Sequence, residues 1–398
     1  MQCPCGGDRP DRRLHLQKVS SESTSQPEAQ PEAQPVDKAG RREAVARWKA
    51  IVAEYQKPNV WRASWQIVNT IGGYAVLWYL MYLSLSVSWW LVVGLAILAG
   101  GFVIRVFIIF HDCGHGSFFK SRLANDIWGF ITGVLTFTPY YHWRWEHSVH
   151  HATTGHLERR GVGDVWTLTV EEYLASSRWK KFSYRLARNP FVLFLIAPLL
   201  IFLIFQRFPS AKAKRREKAS VWIMNGAILI LALGLVNIYG FFPWLIIQLI
   251  VMGVAGAAGF WLFYVQHQFE DAYWERGEDW DYTAAAMQGS SFYKLPRVLQ
   301  WFSGNIGFHH IHHLSSRIPN YNLERCHRSD PMFAEVKPTT LFGSLKSLTF
   351  RLWDERARRL ISFGKLKRQT KSRERDGGES GRGEGDGKGN GKGDGQKE

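Results

Sequence analysis

The apolar residues of this chain are gathered into long blocks, whereas the polar residues fill both ends and most of the connections. Between Ala63 and Ile104 the chain contains no Asp, Glu, Lys or Arg. One helical crossing of a bilayer needs about 20 predominantly apolar residues, so this stretch is long enough for two. The pattern therefore predicts a membrane protein with several spans.

Four blocks have the length of a complete span. They cover about Ile67–Val87, Trp89–Phe110, Val221–Tyr239 and Trp244–Gln266. Within each successive pair the connection is short and uncharged, which predicts two helical hairpins. Ahead of the first span, residues 41–55 place apolar side chains at helical spacing opposite basic ones. This arrangement predicts an amphipathic helix on the membrane surface.

The two ends of the chain have compositions typical of disordered segments. Residues 1–38 are polar and repeat the sequence Gln-Pro-Glu-Ala, and residues 366–398 combine glycine with charged residues. Neither segment can bury enough apolar surface to fold. The residues between them, 39–365, are predicted to form one membrane domain.

The charge balance is strongly basic. The 398 residues include 50 Lys and Arg against 34 Asp and Glu, which gives a net charge of +16. In a membrane protein such an excess is expected on the cytoplasmic side. No basic patch with interleaved aromatic residues lies outside the apolar blocks, so no nucleic-acid partner is expected. The 4 cysteines are too scattered for a disulfide framework.

Eight of the 14 histidines fall into three tight groups. The first group has the spacing i, i+4, and the other two have the spacing i, i+3, i+4. Residues at these spacings share one face of a helix, so each group is expected to direct its imidazoles at a common point, as metal ligands do. The residues are His111 and His115; His147, His150 and His151; and His309, His312 and His313.

His267 follows the last span at matching depth and is a candidate for a ninth ligand. Ionisable residues at such positions are commonly functional. The alternative is that His267 supports a ligand from behind or has a purely structural role. Carboxylates are expected behind the imidazoles, since metal-bound histidines usually donate their second N–H to one. The candidates are Asp112, Glu146, Asp164 and Glu270.

The number of nitrogens indicates two metal ions. Eight or nine imidazoles are too many for one ion and leave open positions on two. Imidazole binds zinc, copper, iron and nickel alike, so residue type does not choose the metal. His310 is left over, because on a regular helix it lies about 100° from His309 and about 160° from His312. It is expected to point away from the metals.

Parity limits the number of crossings. If the histidine groups act together, they lie on one face of the membrane, and the crossings between them must be even in number. A fifth apolar block, 191–208, is nearly long enough to cross, and the segment 207–218 after it has six basic residues and one acidic residue. Such a segment is typical of the cytoplasmic side. The block is therefore predicted to be re-entrant or to lie on the surface, which leaves four crossings.

The histidine segments resemble the three histidine boxes of the membrane fatty acid desaturases. They are His-Asp-Cys-Gly-His, His-Ser-Val-His-His, and His-His-Ile-His-His followed by Leu-Ser-Ser-Arg-Ile-Pro-Asn-Tyr. The segments Gly163–Thr167 and Val265–Asp271 are also similar to that family, and the resemblance covers about residues 40–345. It is closest to bacterial acyl-lipid desaturases, including the cold-induced type that acts at the fifth carbon.

The resemblance implies an all-α, polytopic membrane enzyme with four transmembrane helices and a cytoplasmic helical cap. The cap would carry a non-haem diiron site held by the eight box histidines. The substrates implied are molecular oxygen and acyl chains, which the boxes favour as esters of membrane lipids. Electrons would come from a separate small carrier, such as a ferredoxin, a flavodoxin or a cytochrome.

Two alternatives remain at this point. A fatty acyl hydroxylase or another lipid oxygenase on the same scaffold would need the same ligands. A non-enzymatic membrane protein that carries metal or haem is a more distant alternative. It would be expected to have ionisable residues within the spans, and the predicted spans contain no histidine.

Overall fold

The computed structural model describes residues 38–380, which are predominantly helical. The predicted all-α class is confirmed. In the described residues the α-helices are α1 Lys38–Tyr55, α2 Val60–Ser84, α3 Trp89–His115, α4 Arg122–Leu135, α5 Tyr140–Thr153, α6 Val170–Ala175, α7 Arg178–Ala187, α8 Ala197–Leu203, α9 Arg215–Tyr239, α10 Phe241–His267, α11 Tyr282–Gln288, α12 Arg297–Phe302, α13 His309–Leu314, α14 Asn320–His327, α15 Pro331–Ala334 and α16 Phe363–Ser380.

Short elements complete the described part of the chain. A π-helix, Val192–Ile196, runs directly into α8, and 3₁₀ turns cover Phe205–Arg207, Gly277–Asp279 and Gly343–Thr349. The strands are β1 Leu168–Thr169, β2 Phe292–Lys294, β3 Pro338–Thr340, β4 Leu352–Asp354 and β5 Arg359–Ile361. β4 pairs with β1 in parallel and with β5 antiparallel, and β2 pairs with β3 in parallel.

Contacts divide the chain into two units, residues 1–44 and 45–398. The described residues of the first unit, 38–44, form the beginning of a helix. The second unit contains all the spans and all the histidine groups. The predicted tails fall largely on 1–37 and 381–398, which lie outside the described residues. Residues 366–380, which the sequence analysis assigned to the C-terminal tail, belong to α16.

Within residues 38–380, four helices are long and apolar enough to cross a membrane: α2, α3, α9 and α10. These four candidate spans lie where the four apolar blocks predict them, and a bent pair of helices, described below, would be a fifth if it crossed. Two of the helices begin earlier than predicted. Helix α2 begins at Val60 and α9 at Arg215, several residues before their apolar blocks. A helix continues past its apolar part wherever polar side chains reach the interface, so hydropathy underestimates helix length.

The two hairpins pack together through small residues. At Gly100 of α3 a Cβ would lie 2.7 Å from the side chain of Val254 on α10, so only glycine permits this approach. Around it lies a core of Leu77, Val103 and Val251. Since α3 and α10 end at the same end of the bundle, the close packing fixes where their last turns meet. Most of the other helices and the described strands, within residues 116–187 and 268–380, form a cap over that end.

The fifth apolar block is bent rather than straight. Helix α7 and the segment Val192–Arg207 meet at 64°, which is compatible with a broken span or a re-entrant loop. Its first end is held by Arg188, which donates to Gln268 Oε1 (2.8 Å) just after α10. Past its second end, Ser210 N donates to His142 Nε2 (3.0 Å) on α5. Both ends of the block therefore contact the cap end of the bundle, as expected of a re-entrant segment.

Candidate metal centre

The first histidine pair lies where α3 leaves the apolar core. The helix ends at Gly116, whose left-handed conformation (φ 69°) costs a residue without a Cβ no strain. His111 and His115 are one helical turn apart just before it, and their ring centroids are separated by 4.6 Å. The end of a span thus presents two imidazoles to the cap.

The other two groups lie on short cap helices that side-chain hydrogen bonds hold in place. Helix α5 carries the second group near its C-terminal end, and the Tyr140 hydroxyl donates to Cys113 O (2.7 Å), which joins α5 to α3. Helix α13 is little more than the third group itself. The Tyr282 hydroxyl donates to His313 O (2.7 Å) and connects α13 to α11. The groups that the sequence separates by up to 200 residues meet in this way.

The structure brings all nine predicted histidines together, but in two clusters. In a set of five histidines and in a set of three, the atoms that could hold a metal lie within 4.8 Å of one another. His309 joins the second cluster, because its Nε2 lies 2.9 Å from that of His267 and 3.1 Å from that of His313. The five-histidine group is His111, His115, His147, His151 and His312, and the four-histidine group is His150, His267, His309 and His313.

The expectation that each sequence group aims at a single point is wrong for the second and third groups. Each gives its i, i+4 pair to one cluster and its i+3 residue to the other. On a helix of 3.6 residues per turn, i and i+4 lie about 40° apart, whereas i+3 and i+4 lie about 100° apart. The spacing i, i+3, i+4 therefore places neighbouring imidazoles in two separate clusters.

The spacing of the nitrogens fits metal binding. Within the five-histidine group His151 Nε2 lies 3.1 Å from His147 Nε2 and 3.0 Å from His312 Nε2. Two imidazoles bonded at about 2.1 Å and at right angles on one ion would be about 3.0 Å apart. The pairs in the four-histidine group, at 2.9 and 3.1 Å, match the same geometry.

Two buried atoms support the same interpretation. His115 Nε2 and His150 Nε2 are buried and have no hydrogen-bond partner among the described residues. A buried polar atom without a partner costs about 1–3 kcal/mol, so such atoms are rare unless a ligand satisfies them. One of the two belongs to each cluster. The histidines present therefore fit two metal ions.

The second ring nitrogen of several histidines has a partner that orients the ring. His111 Nδ1 lies 3.0 Å from Asp112 Oδ1, and His150 Nδ1 lies 2.6 Å from Asp164 Oδ1. His267 Nδ1 lies 3.2 Å from the backbone oxygen of Gly289. With these oxygens as acceptors, each Nδ1 carries the proton and each Nε2 keeps a free lone pair for a metal.

Two of the four carboxylates expected behind the histidines lie elsewhere. The Glu146 carboxylate is 3.5 Å from His142 Nδ1, outside both clusters. Glu270 pairs with Lys346 at 2.5 Å on the surface, where Lys346 lowers the pKa of the Glu270 carboxyl. Adjacency in sequence suggested both residues, but the Glu146 side chain on α5 turns toward His142, and Glu270 lies in the turn after α10 and points to the surface.

Burial keeps the cap histidines neutral. The pKa of His147, His151 and His312 in the five-histidine group lies well below the usual value, because burial disfavours the charged form and neighbouring histidines add to the effect. The same causes lower the pKa of His309 and His313 in the four-histidine group. Neutral imidazole is the form that binds a metal.

His310 points away from both clusters, as helical geometry predicts. Its Nε2 lies 3.1 Å from His327 Nδ1, and its ring packs near Phe292. Burial lowers the pKa of His310 to about 3, and the neighbouring His327 adds to this shift.

A comparison with known families identifies the family of this chain. The family model for fatty acid desaturases matches residues 88–341, more than half of the chain and all nine histidines. The chain belongs to the fatty acid desaturase family. Helices α1 and α2 lie outside the match.

Relatives of this desaturase family member extend over most of its length. A fatty acid desaturase of Bacillus subtilis is 49% identical over 316 residues, which cover 79% of this chain and 90% of the relative. An sn-1 oleoyl-lipid 12-desaturase of Synechocystis sp. is 28% identical over 270 residues, 65% of this chain and 71% of the relative. An sn-1 acyl-lipid omega-3 desaturase (ferredoxin) of Synechocystis is 28% identical over 69% of this chain and 77% of the relative.

Sequence reasoning missed one feature of the desaturase centre. A small cavity of about 10 Å³, enough for about one water, lies behind the four-histidine group. Asp164, Phe263, His267 and Gly289 contribute to its lining. The Gly289 carbonyl is a backbone group, so no side-chain pattern could have revealed it as a partner of His267.

Proposed function

We propose that this protein introduces double bonds into acyl chains of membrane lipids, with oxygen as the oxidant and two iron ions at the histidine clusters. The observation that carries the proposal is the convergence of nine imidazoles into two clusters within a member of the desaturase family. The acyl-lipid substrate is supported by the relatives named as acyl-lipid and oleoyl-lipid desaturases.

One ion would be held by the five-histidine group and the other by the four-histidine group. When bound, the iron pair would supply the one-electron chemistry that oxygen activation requires. Desaturation removes two hydrogen atoms from adjacent methylenes. One O₂, with two electrons and two protons from outside, is then reduced to two waters, which balances the reaction.

The protein's own residues prepare this chemistry. Asp112 Oδ1 and Asp164 Oδ1 accept the Nδ1 protons of His111 and His150, so these rings cannot turn or change tautomer. The aromatic ring of Trp143 stacks on His147 with centroids 4.4 Å apart and covers it from one side. These contacts orient the ligands and limit the access of water, which protects a reactive centre from side reactions.

We further propose that the centre lies on the cytoplasmic face and receives electrons from a separate small carrier. The basic segment 207–218 supports this side, because it joins the cap at Ser210. A carrier is supported by the relatives whose names include ferredoxin. A basic surface would attract such an acidic protein.

The orientation can be tested by cysteine labelling. Ala213 is 7% exposed, whereas its neighbour Ala211 is exposed and suits the label. In a chain whose Cys3 and Cys5 are replaced by Ser, Ala211→Cys should react with a membrane-impermeant maleimide only from the cytoplasmic side. Labelling from outside in intact cells would show that either the orientation or the re-entrant block is wrong.

Product analysis tests the activity itself. The gene is expressed in a host without polyunsaturated lipids, and the lipids are examined by mass spectrometry for a new double bond. A His312→Ala chain expressed to the same level serves as the matched control. A hydroxylated acyl chain instead of a double bond would favour the oxygenase alternative.

Metal analysis tests the iron centre. Zinc at full occupancy in an active preparation would contradict it.

A further inference from the structure

A cavity of about 250 Å³ opens beside the beginning of α2, away from the histidine clusters. Its lining includes Lys57, Arg62 and Arg325, together with Glu54 and the amides Asn59 and Asn322. The three basic side chains form no ion pair in the part of the chain that the structure describes. Glu54 is the acidic side chain in this lining, so at least two of the three positive charges have no counter-ion within it.

The cavity is built rather than loosely formed. Arg62 Nη1 donates to Asn322 Oδ1 (2.8 Å), and Arg62 Nη2 donates to the backbone oxygen of Tyr321 (2.6 Å). Asn322 Nδ2 donates in turn to Tyr55 O (3.0 Å). One guanidinium is thus fixed by two hydrogen bonds, while Arg325 faces the same space without a hydrogen bond from its side chain to any described residue. Fixed cations of this kind match the oxygens of a phosphate.

The position of the cavity indicates that a phosphate bound there would belong to a membrane lipid. It adjoins the first turn of a candidate membrane span, at the end where α3 and α10 carry the histidines. Directly beside it Trp61 and Trp65 are 82% and 67% exposed, and Val68 follows at 60%. Exposed tryptophans at the end of a span are typical of the headgroup layer, and the apolar residues beyond them face the acyl chains.

We propose that this cavity binds the phosphate group of a membrane phospholipid whose acyl chains lie along the exposed face of α2. A series of contacts connects this cavity to the histidine clusters. Asn320, which precedes Tyr321 in the chain, donates from its backbone N (2.6 Å) and from Nδ2 (2.8 Å) to Asp112 Oδ2. Asp112 in turn contacts His111. A bound lipid therefore stabilises the segment that holds the carboxylate behind the first histidine.

Lipid binding is measured directly, without turnover. The full-length protein with its metal is purified in detergent, delipidated, titrated with phosphatidylglycerol and examined by native mass spectrometry. Arg325→Gln removes one cation without breaking a hydrogen bond to the described residues, and should weaken binding about fivefold, since one basic residue near a lipid surface contributes about 1 kcal/mol. Arg356→Gln, at an exposed turn of the cap, removes the same charge and should leave binding unchanged.

Two further titrations distinguish the sources of the phosphate. A galactosyl diacylglycerol, which has no phosphate, should bind equally weakly to the wild type and to Arg325→Gln. Inorganic phosphate should displace phosphatidylglycerol only at far higher concentration. Three results would overturn the proposal: equal losses in Arg325→Gln and Arg356→Gln, retention of the galactolipid as strong as that of phosphatidylglycerol, or displacement by phosphate at equal concentration. These experiments measure lipid binding, so the proposal of a lipid site would stand even if the desaturase assay failed.

Discussion

The two histidine clusters share two helices and yet differ in their surroundings. The four-histidine group is buried throughout, with His150, His267, His309 and His313 between 1% and 7% exposed. In the five-histidine group His115 and His147 are only partly buried. An ion held by four imidazoles would keep more positions open for other ligands than one held by five. The buried cluster therefore has more room for an exogenous ligand, and the other is nearer to solvent.

This difference suggests that the two clusters have different functions. Oxygen chemistry benefits from a dry site with open positions, which describes the four-histidine group. An electron arriving from a carrier reaches the protein at its surface, which the five-histidine group approaches more closely. Helices α5 and α13 give neighbouring residues to each cluster, so the same two helices would hold both ions.

The largest expected effect comes from adjacent residues that belong to different clusters. His312→Ala and His313→Ala each remove one ligand, and each should abolish turnover because both ions are needed. The iron content should fall from two per chain toward one. Mössbauer spectra should show that a different iron site is lost in each variant. Identical spectra for the two variants would contradict the division into two clusters.

The carboxylates behind the histidines offer a graded test. Asp164→Asn should lower the iron affinity of the four-histidine group about 10–100-fold, since a partner of this kind orients its ligand and raises its basicity. Asp112→Asn should act on the five-histidine group by a similar factor. It should also destabilise the cap, because Asp112 Oδ2 accepts two hydrogen bonds from Asn320. Competition with a chelator, followed by Mössbauer spectroscopy, measures both effects. An equal loss from both clusters in either variant would contradict these assignments.

Much of this architecture could be predicted from the sequence, and the reasons are physical. The spans follow from local apolar blocks, and the ligand candidates follow from helical spacing. The split of each group could not be anticipated, because it depends on where a second helix places its own imidazoles. Asp112 and Asp164 were predicted correctly as partners, whereas Glu146 and Glu270 were not, since adjacency in sequence does not determine where a side chain points. The π-helix Val192–Ile196 has no sequence signature of its own.

The difference in exposure predicts the order in which the metals leave. A water-soluble chelator should remove iron from the five-histidine group first, because His115 and His147 are partly accessible. The four-histidine group should lose its iron only on slower opening of the cap. Stopped-flow absorbance combined with freeze-quenched Mössbauer samples separates the two phases. A single phase with both signals falling together would show that the exposure of the two histidines does not control release.

The smallest effect is expected at His310, which sharpens the boundary of the centre. His309 lies 2.9 Å from His267 and 3.1 Å from His313, so His309→Ala should abolish turnover and lower the iron content. His310 Nε2 lies 3.1 Å from His327 Nδ1, outside both clusters, so His310→Ala should keep both irons and measurable activity. The loss of that partly buried contact should cost about 1 kcal/mol of stability, seen as a lower melting temperature. His327→Ala breaks the same contact from the other side and should reproduce this behaviour. If His310→Ala loses iron and His309→Ala retains it, His310 rather than His309 is the ligand. The third group would then not act as a regular helix.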